Sequence, residues 1–290
     1  MSFSQRLAAR ADQIQTCLDD VLSTFGHLPV TEGMRYATRG GKRLRGFLVM
    51  EAGALFDVPD AQSVRAAAAI EVLHAYSLVH DDLPCMDDDD LRRGLPTVHR
   101  KWDEATAVLV GDALQTLAFE LLAGEATHPS ASVRIGLVAT LATAAGAQGM
   151  VLGQALDIAA ETTARPLTLD EITELQASKT GALIRWSAEA GAILAEADPV
   201  PLRAYATALG LAFQIADDIL DVTGDSAKAG KALRKDAEAG KATFVSLLGL
   251  EGARARARSL ADQACVALDP YGTQAETLRQ AARFVISRDS

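Results

Sequence analysis

The chain has 290 residues, 49% of them hydrophobic but only 5% aromatic, and three cysteines. Its formal charge of −10 excludes the usual nucleic-acid binder, which needs basic stripes against phosphate. Cys17, Cys85 and Cys265 lie far apart without Cys-x-x-Cys spacing, and the first residues lack an apolar leader, so the expectation is a reducing cytoplasm and no disulfide framework.

Scarce aromatics and abundant Ala favour helices over sheets, and helical periodicity dominates. No linker, repeat or low-complexity block divides the chain, so a single domain, 1–290, is expected. The first predicted helix covers 3–25. The second, 31–56, contains Gly-Gly-Lys-Arg-Leu-Arg (40–45), and two glycines inside a helix are costly. They make sense if an anion must approach the backbone closely; this is no Walker loop, because no strand precedes it.

The third helix, 61–83, is apolar on most faces and is interrupted at Pro84, within Asp-Asp-Leu-Pro-Cys-Met-Asp-Asp-Asp-Asp (81–90). The interruption lets Asp87 fold back toward Asp81, leaving Asp88, Asp89 and Asp90 to face water or cap the next turn. Arg92-Arg93-Gly94 follows, and Arg presents a planar fork suited to phosphate oxygens. The next helices are 103–124 and 131–160. Residues 135–156 carry no charge and include Gly149-x-x-x-Gly153, but their Gln, Thr and Gly content predicts a helix buried in a helical core, not a membrane span. Thr168 and Glu171 form a capping box ahead of helix 169–196. Helix 199–223 ends on Asp217-Asp-Ile-Leu-Asp221, with Asp217 and Asp221 on one face. Helices 241–268 and 273–287 complete the chain. Such elements make a helical bundle, whose metal and ligand sites are built from side chains on facing helices.

Two dense carboxylate clusters in apolar segments repel themselves unless cations compensate. Mg²⁺ takes hard oxygen ligands and characteristically bridges to a substrate phosphate. The acidic clusters, the separate Arg/Lys groups and the apolar interior together describe a site for two oily, phosphate-bearing molecules between two acidic walls.

Gly-Gly-Lys-Arg-Leu-Arg (40–45), the run from His74 to Asp87, Asp-Asp-Leu-Arg-Arg-Gly (89–94), Gly-Gln-Ala-Leu-Asp (153–157), Lys-Thr-Gly (179–181) and Phe-Gln-Ile-Ala-Asp-Asp-Ile-Leu-Asp (213–221) resemble the short-chain trans-isoprenyl diphosphate synthases, in particular the bacterial farnesyl diphosphate synthase group. The resemblance runs from about residue 5 to the C-terminus. It implies the all-α isoprenoid synthase fold around a deep cavity, as a homodimer without a membrane span. It further implies that Asp81, Asp82, Asp87, Asp217, Asp218 and Asp221 hold three Mg²⁺ ions, with Mn²⁺ as a substitute, around an allylic diphosphate. Arg92, Lys179 and Lys231 would contact that diphosphate, with Lys241 closing over it. Lys42, Arg45, His74 and Arg93 would hold isopentenyl diphosphate, although His74 also reads as a core histidine.

The implied reaction ionises an allylic C–O bond, and Mg²⁺ with Arg/Lys neutralises charge on the leaving diphosphate. Thr180 and Gln214, with Lys179, are the implied catalytic residues, their oxygens stabilising the carbocation. The double bond of isopentenyl diphosphate attacks, and the departing diphosphate accepts the proton lost. Tyr76, five residues before Asp81 and thus about 7.5 Å along a helix axis, and its neighbour Ser77 would floor the cavity and stop growth at C15. Tyr76 also reads as an ordinary core aromatic. Four positions depart from the family pattern: Gly46 for a frequent Pro, Leu152 for Gly, Arg234 for Gly and Phe244 for Tyr. Alternatives are a C20 or C10 synthase, a class I terpene cyclase, or a non-catalytic subunit of a heteromeric synthase.

Overall fold

The computed structural model describes residues 1–161, 165–223 and 242–287. Packing divides the chain into two compact units: Met1–Val138 with Ile193–Glu196, and Ala139–Ala192 with Ala197–Ser290. The single domain predicted from sequence thus takes the form of two units, each with its own packed centre.

The first unit is built around α4 (Asp60–Asp81), which packs against α1 (Phe3–Ser23), α3 (Leu44–Ala54) and α6 (Glu104–Ala123). The apolar run predicted to be surrounded is surrounded: every residue from 66 to 73 is buried. Pro59 stands immediately before the first turn of α4, where its fixed φ and missing N–H cost nothing. Phe47, Leu48, Met50, Ile70, Leu73, Leu114 and Leu121 fill the space around it.

The predicted helix 31–56 is two helices, α2 (Pro29–Ala37) and α3, separated by a loop. Gly40, Gly41 and Arg43 all have positive φ, a region closed to a continuing right-handed helix. The sequence also gave no warning of a small antiparallel hairpin, β1 (Leu91–Arg92) with β2 (Leu95–Pro96), whose two turn residues are Arg93 and Gly94, both left-handed. A short helix, α5 (Val98–Lys101), follows it.

Predicted helix 131–160 breaks at 146–149 into α7 (Ala131–Ala145) and α8 (Met150–Glu161). A Cβ on Gly149 would lie 2.0 Å from the Ala144 carbonyl oxygen. The expected burial of this uncharged stretch is corrected: only a third of its most apolar window is buried. Among the described residues two stretches, Glu104–Ala123 and Ala131–Ala160, the latter interrupted at 146–149, are long and apolar enough to cross a membrane by length and composition alone; the first is 44% buried.

In the second unit, α11 (Val200–Thr223) packs along α12 (Phe244–Ala267) and against α13 (Glu276–Ile286). Tyr205 is fully buried and donates its hydroxyl to the Leu278 carbonyl at 2.8 Å, tying α11 to α13. The Thr168–Glu171 capping box is present and opens α9 (Leu169–Gln176). Helix 169–196 is not continuous, because Ala177–Gly181 widens to a π turn before α10 (Ala182–Leu194). Such turns concentrate at functional positions.

Candidate active site

In the first unit the end of α4 carries the first acidic motif. Asp81 is half-buried, Asp82 buried and Asp87 exposed. The predicted fold-back is present: the Asp87 amide donates to the Asp81 carbonyl at 2.8 Å, and the Asp89 amide to the Asp82 carbonyl at 3.2 Å. Asp88 and Asp90 face solvent, Asp90 pairing with Arg100.

Burial pushes the Asp82 carboxyl above the usual carboxylate range, and Arg92 pulls against that shift. The guanidinium donates through Nε to Asp82 at 3.0 Å, again through Nη2 to the same oxygen, and on to Asp89 at 3.3 Å. A side chain expected to bind diphosphate is thus paired with a carboxylate expected to bind metal.

The cationic group of the first unit gathers around His74. Burial of the imidazole, then the charges of Arg45, Arg93, Arg92 and Arg43, hold its pKa well below the ordinary value. The ring is therefore neutral and offers one N–H to an anion. Lys42 is exposed on the glycine loop, and Arg45 is half-buried in the first turn of α3. The Arg93 guanidinium lies so close to Gly41 that a Cβ there would sit 2.8–2.9 Å from it, and its Nη1 donates to the Arg39 carbonyl at 3.1 Å. The absence of a side chain at Gly41 thus makes room for the guanidinium. A cavity of about 290 Å³ adjoins this group, lined by apolar Leu78, Val79, Leu95 and Val98 together with Arg39, Arg92, Arg93 and Asp82.

Tyr76 is 6% exposed and stands edge-on to His80 with ring centroids 5.7 Å apart. Ser77 donates to the His74 carbonyl at 2.9 Å.

The second unit carries the other motif at the end of α11. Asp217 and Asp221 are half-buried one turn apart, whereas Asp218 is buried. Asp218 accepts the Gln214 amide at 3.0 Å and the Phe244 backbone N–H at 2.8 Å, so it also caps the start of α12. Thr180 donates its hydroxyl to Gln214 Oε1 at 3.1 Å, which leaves the hydroxyl lone pairs for a positive charge. Lys179 pairs with Asp157 at 2.6 Å. Gly153 makes that geometry possible: a Cβ there would lie 2.1 Å from the Lys179 nitrogen. Leu152, where the family often has glycine, is 37% exposed and meets no such constraint. Lys231, Lys241 and Arg234 lie outside the described residues.

No three acidic, His or Cys side chains form a ready metal cage among the described residues. The donor set nevertheless fits Mg²⁺, which binds through one or two carboxylates plus substrate phosphate and water rather than through an all-protein cage. Two further acids contact these residues without having been assigned a role from sequence: Glu71, which accepts the Gly46 N–H, and Asp157, the last residue of the Gly-Gln-Ala-Leu-Asp motif, which pairs with Lys179. Glu71 left a signal, as an acid set within a run of apolar residues.

Helices of this kind, carrying acidic motifs at their ends beside arginine clusters, define an all-α isoprenoid synthase fold. The sequence profile of the polyprenyl synthetase family matches residues 29–279. The chain is 47% identical to the farnesyl diphosphate synthase of Escherichia coli K12 across all of both chains. A solved FPP/GFPP synthase from Zymomonas mobilis superposes with a TM-score of 0.88 at 47% identity, covering 96% of this chain and 98% of that one. A Helicobacter pylori geranyltransferase, solved with magnesium and isoprenyl diphosphate, gives 0.80 at 34% identity over 99% and 97%. The chain therefore belongs to the polyprenyl synthetase family and is a prenyltransferase, which sets the terpene cyclase aside.

Proposed function

We propose that the chain condenses isopentenyl diphosphate with dimethylallyl or geranyl diphosphate, head to tail, to give (2E,6E)-farnesyl diphosphate and diphosphate. The observation that carries this reading is the first Asp-rich motif, bonded through Asp82 to Arg92, beside the arginine group that surrounds His74. Lys42, Arg45, His74 and Arg93 hold isopentenyl diphosphate, and the adjoining cavity, lined by both apolar side chains and guanidinium groups, suits a short alkenyl group bearing an anion. Arg92, Lys179, Lys231 and Lys241 contact the allylic diphosphate.

Mg²⁺, three ions in this reading, would be held by Asp81, Asp82, Asp87, Asp217, Asp218 and Asp221. When bound it neutralises negative charge on the leaving diphosphate. Arg92 adds to that neutralisation once it exchanges Asp82 for phosphate oxygens. The Thr180 oxygen, oriented by Gln214 and through it by Asp218, faces the developing cation. The buried Tyr76 supports a fixed stop at C15. A homodimer fits the exposed Val108 and Leu109 of α6, and a cytoplasmic location fits three free thiols.

Purified protein incubated with Mg²⁺, isopentenyl diphosphate and either the C5 or the C10 allylic diphosphate tests the reading by product chromatography. A dominant C15 diphosphate is expected. A dominant C10 or C20 product replaces the chain-length assignment, and no turnover without a second polypeptide replaces the catalytic one.

A further inference from the structure

Glu71 is a buried acid, 4% exposed, in a stretch of α4 whose other residues from 66 to 73 are apolar and buried. A carboxylate enclosed there costs several kcal/mol unless its oxygens are bonded. One oxygen accepts the Gly46 N–H at 2.8 Å. Gly46 is the third residue of α3, whose N-cap, Arg43, is left-handed and makes no side-chain cap of its own. The free N–H at the start of α3 is therefore capped by α4. That bond needs a backbone N–H at position 46, which the proline frequent there in the family lacks.

The other oxygen of Glu71 faces the buried Arg43 guanidinium at 3.6 Å. Arg43 also donates to the Thr38 carbonyl and to Gln15 at 2.6 Å. Thr38 and Arg43 bracket the glycine loop, so one guanidinium ties its two ends and Glu71 holds that guanidinium in place. Arg93 rests on the same loop at Gly41. Glu71 is also one turn before His74 on the same side of α4. Its negative charge offsets the mutual repulsion of Arg43 and Arg93 before any ligand arrives.

We propose that Glu71 is the positioning residue of the isopentenyl diphosphate subsite: it sets the 38–46 backbone, which carries Lys42, so that Arg45 and Arg93 converge on His74, and touches no substrate itself. The inference rests on the assignment of those four side chains to isopentenyl diphosphate.

Steady-state kinetics of the full chain, with each substrate varied in turn, tests it on Glu71→Ala, Glu71→Gln and Lys42→Ala. Glu71→Ala is expected to raise KM for isopentenyl diphosphate about tenfold while KM for the allylic substrate stays within about twofold. Glu71→Gln, which still accepts the Gly46 N–H, recovers part of that loss. A merely structural role would reduce the active fraction and hence kcat, leaving both KM values alone. Equal changes in the two KM values, or none, overturn the proposal. If Glu71→Ala does not fold, Glu71→Gln decides alone: a rise of a few-fold confined to isopentenyl diphosphate supports the role, and an unchanged value overturns it. Lys42→Ala separates the two claims. Should it leave KM for isopentenyl diphosphate unmoved, the subsite assignment fails; should it raise KM while both Glu71 variants do not, the role of Glu71 fails.

Discussion

A histidine among arginines has two ways to accommodate its surroundings, and His74 takes the neutral one. Burial and then the charges of Arg45, Arg93, Arg92 and Arg43 disfavour its protonated form. In the unfolded chain the imidazole gains a proton near pH 6.5, about its reference value. The folded protein does not, so the unfolded state binds more protons and stability falls as pH drops through that range. The thermal unfolding midpoint of the ligand-free protein is expected to decline between about pH 7.5 and 5.5, and His74→Gln to flatten the slope. An identical slope in the variant counts against a neutral folded imidazole. Tyr76 carries the second residue-scale prediction. Truncating a buried aromatic costs about 3–5 kcal/mol, but it also opens space five residues below Asp81. Tyr76→Ala should therefore lower the melting temperature and lengthen the main product beyond C15, and an unchanged C15 profile by chromatography would remove Tyr76 from chain-length control. The acidic motifs stood out in sequence because clustered like charges in apolar helices have few structural explanations. Asp157 and Glu71 were given no role from sequence, because what each does shows only once its partner, Lys179 or the Gly46 N–H, is in place.

Elements were legible where periodicity ran uninterrupted, as in α1, α4, α6 and α11, whose observed ends fall within two residues of those expected. They failed where backbone geometry, not side-chain pattern, decides. The two glycines at 40–41 were recognised as costly, yet the break they make depends on the left-handed Arg43, which no propensity scale marks. The π turn at 177–181 was equally invisible, since Lys-Thr-Gly fits a helical pattern. It is fixed from outside by close approach: Gly153 of α8 stands against Lys179, and a Cβ on Gly210 of α11 would come within 3.1 Å of the Gly181 Cα. Gly153→Ala should thus force backbone apart rather than move a side-chain tip. The expected cost is about 1–3 kcal/mol of overpacking, with a loss of activity larger than the loss of folded protein because Lys179 and Thr180 move with the turn. Circular-dichroism melts beside kcat and allylic KM check this. A variant with wild-type kinetics would show that the turn tolerates the displacement.

At the scale of the whole molecule the sequence misjudged where apolar surface goes. The uncharged 135–156 stretch pointed to core, but Ile135 of α7 is 67% exposed, and Val151, Leu152 and Ile158 of α8 stay at least a third exposed. On α6, Val108 and Leu109 face solvent one turn after exposed Ala105. Periodicity reports that a face is apolar, not whether the chain itself covers it, and faces left open in this way characteristically mark interfaces. Two copies meeting through α6 would each bury Leu109. Because a twofold interface counts every substitution twice, Leu109→Glu removes about 2 kcal/mol of burial at two places, or roughly a thousandfold in the dissociation constant, before the cost of the buried charge. Light scattering coupled to size exclusion is expected to find a dimer for the unaltered chain and a monomer for Leu109→Glu at micromolar concentration, with the melting curve of each unit's helices retained. A variant that remains dimeric would move the interface away from this face of α6, and an unaltered chain that runs as a monomer would leave these apolar residues without the partner proposed for them.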